Sequence, residues 1–183
     1  MLSRLTVLLL FTLTMSTAHH LAAQAESTPI AEWREKWANA AAYTLEVAEL
    51  MPAADYTYQP TEDQMNFGNQ LRHMAGNVRW ISIDLLGYAP ADSVAAALET
   101  GIRADSLDKA ATLQLLTTVF ALADRAVAGL APGDEETVVD FFAGPKTKRQ
   151  LMALMQDHLT HHRGQVIVYL RLKGIKPPKY RGW

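Results

Sequence analysis

His158 and His162 stand four residues apart, a spacing that stacks two imidazoles one turn apart on the same face of a helix. Counted at about 100° per residue, that face also carries Leu151, Met155, Gln165, Tyr169 and Leu172, so the pair belongs to a buried stripe. Adjacent buried histidines are costly without partners. Neutral imidazole is a common metal ligand, so one solution is a divalent ion. The other is a pair of hydrogen-bonded core histidines, and the spacing alone leaves both open.

His73 is the third chemically interesting imidazole. It sits roughly 110° from the centre of an apolar stripe, on an edge with Asn66, Gln70, Asn77, Trp80 and Asp84. That edge is polar for a packed helix and suits a cavity wall, although a lone histidine there also reads as a surface residue. His161 adjoins the pair but points about 100° away from His162; it is a candidate for lining the site, not a ligand. Gly164, inside the helix, predicts close approach of a neighbouring helix or ligand, since glycine there costs about 1 kcal/mol relative to alanine. Arg163 points off the stripe and reads as a structural contact.

The chain has no cysteine, so thiolate ligands and disulfides are excluded, and a metal site must draw on His, Asp, Glu or water. With 183 residues, 49% of them hydrophobic and 20% charged, the composition is that of one globular domain. Net charge is -2, and only Lys146 to Arg149 and the last few residues are locally basic, which gives no electrostatic footprint for nucleic acid.

The first 25 residues read as a signal peptide: Arg4, an apolar Leu5–Met15 run, and the cleavage-type sequence Ala23-Gln24-Ala25. A membrane anchor is the alternative, but the run falls short of the ~20 residues that span a bilayer. No cysteine near the cleavage site offers a lipid anchor. The expected product is a domain over 26–183, periplasmic or secreted, with no later segment able to span a membrane.

Four amphipathic segments must position the histidines. The first opens at Thr28-Pro29 and carries Ile30, Trp33, Trp37, Ala41, Thr44 and Ala48 at helical spacing to about Met51. The second is expected from Thr61, where Thr61 and Gln64 fit a capping box. Its stripe is Phe67, Leu71, Met74, Val78, Ile81 and Leu85, and it stops at Gly87. Ser93–Thr100 is a short helix candidate broken at Gly101. The third long helix runs from about Ser106 to Ala128, with Leu113, Leu116, Phe120, Ala123 and Val127 inward. Glu136–Phe142 is an extended connector. The fourth begins at Thr147, again with a capping box to Gln150, and ends near Lys173 before Gly174 and Pro177-Pro178. This pattern predicts an all-α four-helix bundle. The long stretch between the second and third helices leaves room for a crossover.

The segment DHLTHHRGQVIVYLRLKGIKPPKY from Asp157 resembles the fourth helix of DinB-like proteins, a superfamily that includes YfiT-like bacillithiol transferases and mycothiol-dependent enzymes. His158, His162, Arg163, Gly164 and Gln165 match its H-x-x-x-H motif with a following Arg-Gly-Gln. FGNQLRHMAGN from Phe67 is similar to the second-helix element, with His73 at the ligand position. The likeness spans about residues 30–180. It implies a three-histidine metal site of His73, His158 and His162, and it implies no DNA binding. Export departs from the cytosolic thiol chemistry of the family's transferases.

Three protein ligands leave a coordination position for water or substrate. The expected function is therefore a metal-dependent enzyme, thiol-transferase-like or hydrolase-like, acting on a small molecule. Asn77, His161 and Gln165 are the candidate substrate-lining residues. No carboxylate beside the motif offers a general base, which favours thiol activation over peptide-type hydrolysis. The alternative is a non-catalytic metal- or ligand-binding bundle of the cell envelope; a third reading is a plain helical interaction module. Zinc, nickel, iron and manganese all suit imidazole. A homodimer is a compatible assembly.

Overall fold

A computed structural model describes residues 28–106 and 108–183. The signal-peptide reading of residues 1–25 falls outside them.

Helix α1 spans Pro29–Leu50, with Pro29 in the first turn and Thr28 Oγ1 accepting from the Ala31 amide at 3.2 Å. Its buried face carries Trp33 and Trp37, stacked with ring centroids 4.9 Å apart. Both indole N–H groups are satisfied: Trp33 donates to the Met152 carbonyl at 2.8 Å and Trp37 to that of Phe120 at 3.0 Å. Two large apolar rings are thus buried without an orphaned donor.

Helix α2 spans Phe67–Trp80. Its cap lies five residues later than the Thr61–Gln64 pattern predicts. Asn66 is the cap, its Oδ1 accepting from the Asn69 amide at 2.8 Å. The incoming loop folds back over the helix start: Phe67 N–H donates to the Tyr58 carbonyl and Gly68 N–H to that of Tyr56. First-turn donors that a longer helix would satisfy internally are satisfied here by the loop. Beyond Trp80 the chain winds into a π-helical turn, Ile81–Leu85, before Gly87 ends it with φ +80°. Leu85 is only half-buried.

Helix α3 spans Asp92–Arg103 and runs through Gly101 instead of breaking there. A Cβ at Gly101 would stand 3.2 Å from Leu115 Cδ1, so the missing side chain serves helix packing. Arg79 ties the π turn to α3, with Nη1 2.5 Å from Asp84 and Nε 3.7 Å from Glu99.

Helix α4, Lys109–Ala128, starts three residues after the expected Ser106 and is capped by Asp108. By length and composition it is apolar enough to cross a membrane, contrary to the expectation that no later segment is. Its apolar face, with Leu116, Val119, Phe120, Ala123 and Val127, is instead buried against α1 and α2. A two-residue antiparallel ladder follows, β1 (Val138–Val139) with β2 (Lys146–Thr147); β1 lies in the predicted extended connector Glu136–Phe142 and β2 beyond it.

Helix α5, Lys148–Leu172, begins at the predicted capping box: Thr147 Oγ1 accepts from the Gln150 amide, and Gln150 Oε1 accepts from the Thr147 amide. Gly174 ends it at φ +73°. Leu172, expected on the buried stripe, is exposed, whereas Tyr169 and Leu170 of the same turn are buried.

The four long helices close a ring in which α1 and α2 each pack on α4 and α5. Helices α1 and α2 are therefore diagonal, and so are α4 and α5. The crossing connections are those between these diagonal pairs. The stretch that left room for a crossover, between α2 and α4, folds as α3 and packs beside both.

Candidate metal centre

Helices α2 and α5 are ring neighbours, and their contact brings His73 to His158 and His162. One ligand-type nitrogen from each of the three rings lies within 4.8 Å of the others. His73 Nε2 and His158 Nε2 are 3.1 Å apart. Two nitrogens at 2.0–2.1 Å from one tetrahedral ion stand about 3.4 Å apart, so this spacing suits shared coordination. His162 is buried, His158 half-buried, and His73 exposed on the open side.

A polar network fixes the orientation of His162, and it can be followed from a backbone carbonyl inward. Tyr169 Oη donates to the Met65 carbonyl at 2.8 Å. Its lone pair then faces Gln70 Nε2 at 3.3 Å. The Gln70 amide nitrogen also donates to Gln165 Oε1 at 2.6 Å, which turns Gln70 Oε1 toward His162 Nδ1, also at 2.6 Å. That nitrogen must be the N–H, leaving the Nε2 lone pair free for a ligand role. Gln165 Nε2 donates onward to His161 Nε2 at 2.8 Å. An outer partner that sets the imidazole tautomer is a recurring feature of histidine metal sites.

The donor set fits a metal in a second respect. His158 Nδ1 is buried with no hydrogen-bond partner among the described residues. Burial, reinforced by the neighbouring rings, pushes the His158 and His162 imidazoles down to about 4. The same burial, with His161 adding to it, lowers His73. All three are neutral at physiological pH, the form that can donate a lone pair.

His161 lies outside the triad, exposed, with its Nε2 engaged by Gln165. Asn77 lines an open groove of about 540 Å³ beside the triad, together with His73, Arg72, Trp80 and Ile102. Gln165 and His161 are not part of its lining; they belong to the network behind the histidines. Arg163 makes the expected structural contact: buried, it donates to the Ala40 carbonyl at 3.2 Å and lies over the Tyr43 ring. Gly164 is exposed, and among the described residues no atom beyond its own helix backbone and its chain neighbours lies within 4 Å of its Cβ position, so they show no close approach there.

The family model that matches this chain, over residues 23–182, is that of the DinB family. The chain belongs to the DinB family. Solved DinB-like proteins share the fold at low identity. YjoA of Bacillus subtilis superposes with a TM-score of 0.63 at 19% identity, covering 81% of this chain and 96% of its own. A DinB-like protein of Bacillus cereus gives 0.66 at 15% identity, covering 81% and 95%. No curated protein matches the chain. Within this DinB family member, the residue that the sequence leaves unassigned is Gln70. It sits one turn before His73 on the polar edge of α2, and that position is its only signal in the sequence.

Proposed function

We propose that this DinB family protein binds one divalent metal ion through His73, His158 and His162 and uses it to transform a small molecule. The observation that carries this reading is the convergence of three neutral imidazoles from two helices at the edge of a groove that His73 itself lines. When bound, the ion supplies Lewis acidity that lowers the pKa of a coordinated water or thiol. The protein's own residues do the rest: Gln70 holds the His162 proton on Nδ1, and burial keeps the three rings unprotonated. Among the described residues the three-histidine cluster includes no carboxylate. That favours thiol-transferase-like chemistry over hydrolase-like chemistry.

The same lack of a carboxylate supports a second reading, a non-catalytic metal- or ligand-binding bundle of the cell envelope. The two differ in whether the metal keeps an exchangeable position, which solvent-proton relaxation with a paramagnetic ion reads directly.

Arg4, the apolar run after it and Ala23-Gln24-Ala25 support export to the periplasm or medium. Zinc, nickel, iron and manganese remain the candidate ions. The deciding experiment is elemental analysis of protein purified from its native compartment, beside the His73→Ala, His158→Ala and His162→Ala variants. The expected result is about one equivalent of a single divalent metal in the wild type, lost in each variant. Metal-free protein that also fails to take up zinc overturns the reading.

A further inference from the structure

The groove beside the triad carries a cation with no counter-charge. Arg72 lines it next to His73. Its Nη2 donates to Asn69 Oδ1 and, at 3.0 Å, to the Asp105 carbonyl. Both acceptors are neutral groups. Among the described residues no carboxylate lies within ion-pair distance of Arg72, whereas Arg34, Arg79, Arg103, Arg149 and Arg181 all have one. Asp105 turns its backbone, not its charge, toward the guanidinium. The two bonds spend the Nη2 donors and hold the plane in place, and Nε and Nη1 donate to nothing among the described residues. A guanidinium has five N–H donors in a fixed fork that matches a carboxylate. Here the fork is oriented by neutral partners, and its remaining donors are free on a groove wall.

The rest of the groove is mainly apolar. Met65, Ile102 and the Trp80 ring line it. Trp80 is backed by Phe141 and Phe142, at centroid distances of 5.8 and 6.3 Å. Along α2, Trp80 lies seven residues beyond His73, about 10 Å at 1.5 Å per residue. Asn77, between them on the same wall, has its Oδ1 buried and without a partner among the described residues. A ligand that fills this groove meets metal-type donors and a cation at one end and an aromatic wall at the other.

We propose that the groove takes an organic anion: a molecule with a carboxylate that pairs with Arg72, a metal-directed donor atom at the histidine triad, and an apolar body that extends toward Trp80. This rests on the metal reading of the triad and adds the charge of the ligand to it. Arg72 acts as the specificity-determining residue that selects the anion over its neutral analogue. A charge-assisted pair made through the remaining Nε or Nη1 donors in a partly desolvated groove makes that selection about tenfold.

The test uses zinc-loaded protein and mercaptoalkanoates of increasing chain length, from mercaptoacetate to mercaptohexanoate, each beside its primary amide. Affinities are read by calorimetry. At the best chain length the acid binds about tenfold tighter than the amide to the wild type. Arg72→Gln abolishes that preference, weakening the acid far more than the amide, while leaving zinc content unchanged, and Arg72→Lys retains part of it. Equal binding of acid and amide to the zinc-loaded wild type at every chain length overturns the proposal and leaves the metal site standing. Failure of the wild type to bind zinc overturns the metal reading instead, and is seen before any thiol is added. The acid–amide comparison in the wild type requires no variant to fold.

Discussion

Gln70 Oε1 and His162 Nδ1 are 2.6 Å apart, the shortest link between the buried network and the histidine triad. Because Tyr169 anchors the other end of the amide through the Met65 carbonyl, Gln70 cannot rotate without breaking that set of bonds. The consequence is measurable. Gln70→Ala is expected to lower zinc affinity about 10–100-fold, the usual cost of losing an outer partner of a ligating histidine. Gln70→Glu, which keeps an acceptor oxygen, is expected to recover most of it. Competition against a chromophoric chelator checks both.

Loss of a triad member is expected to be worse. His73→Ala, His158→Ala and His162→Ala should each weaken zinc binding by more than about 100-fold, beyond the outer-partner range. His161→Ala, whose ring touches the site only through Gln165, should cost less than any of them. If His73→Ala binds as tightly as the wild type, the site is a two-histidine site on α5 alone.

Acid should destabilise the metal-free protein in a defined window. An unfolded histidine titrates near 6.5, whereas burial holds His158 and His162 at about 4 in the fold. Between those values the unfolded chain binds more protons than the native one, so stability falls as pH falls. The contribution of these groups is fully present above pH 6.5 and is lost progressively down to about 4. Zinc affinity should decline in the same direction, because protons compete for the lone pairs. Denaturant melts of the metal-free protein at stepped pH, with a double His158→Ala/His162→Ala variant as control, test the assignment: the variant should show a shallower slope.

Arg163 is buried with its guanidinium on the Ala40 carbonyl and over Tyr43, and burial lowers its pKa without neutralising it. Arg163→Ala removes charge-assisted bonds between α5 and α1 and should cost about 2–4 kcal/mol in urea unfolding. Arg163→Lys should rescue little, since an ammonium cannot reproduce the planar stacking. Zinc stoichiometry should remain one in protein that folds.

Gly164 offers the opposite sign. It lies exposed within α5 with open space at its Cβ position. Gly164→Ala should therefore stabilise the protein, by up to about 1 kcal/mol. A loss of stability or of zinc affinity would show that the glycine has a packing or ligand role after all.

What the sequence made legible follows the reach of its signals. The α5 capping box and the four-residue histidine spacing are local, and both stand as read. The Thr61–Gln64 pattern misplaces the start of α2 because it is local, whereas the observed start is held by the Tyr56 and Tyr58 carbonyls folding back onto the helix. Gly101 looked like a breaker because its reason lies across an interface, at Leu115. His73 was placed with the pair by resemblance, since nothing in helical spacing relates two helices that meet only in the tertiary fold. Gln70 was visible as one polar residue among several on the edge of α2. Its role depends on Gln165, Tyr169 and His162, each contributed from α5.

The ring order of the helices also dictates when the site can exist. His158 and His162 form a local chelate, available once one turn of α5 has formed. His73 is 85 residues away from His158 along the chain. It arrives only after the neighbouring faces of α2 and α5 have docked, a non-local contact that comes at an entropic cost in loop closure. Under the proposed metal reading, an ion present during refolding would be held by two nitrogens first and three last. The rise from weak to tight binding becomes a clock for completion of the bundle, and a metal-sensitive probe on α5 should register the final docking of the chain as a step separate from helix formation.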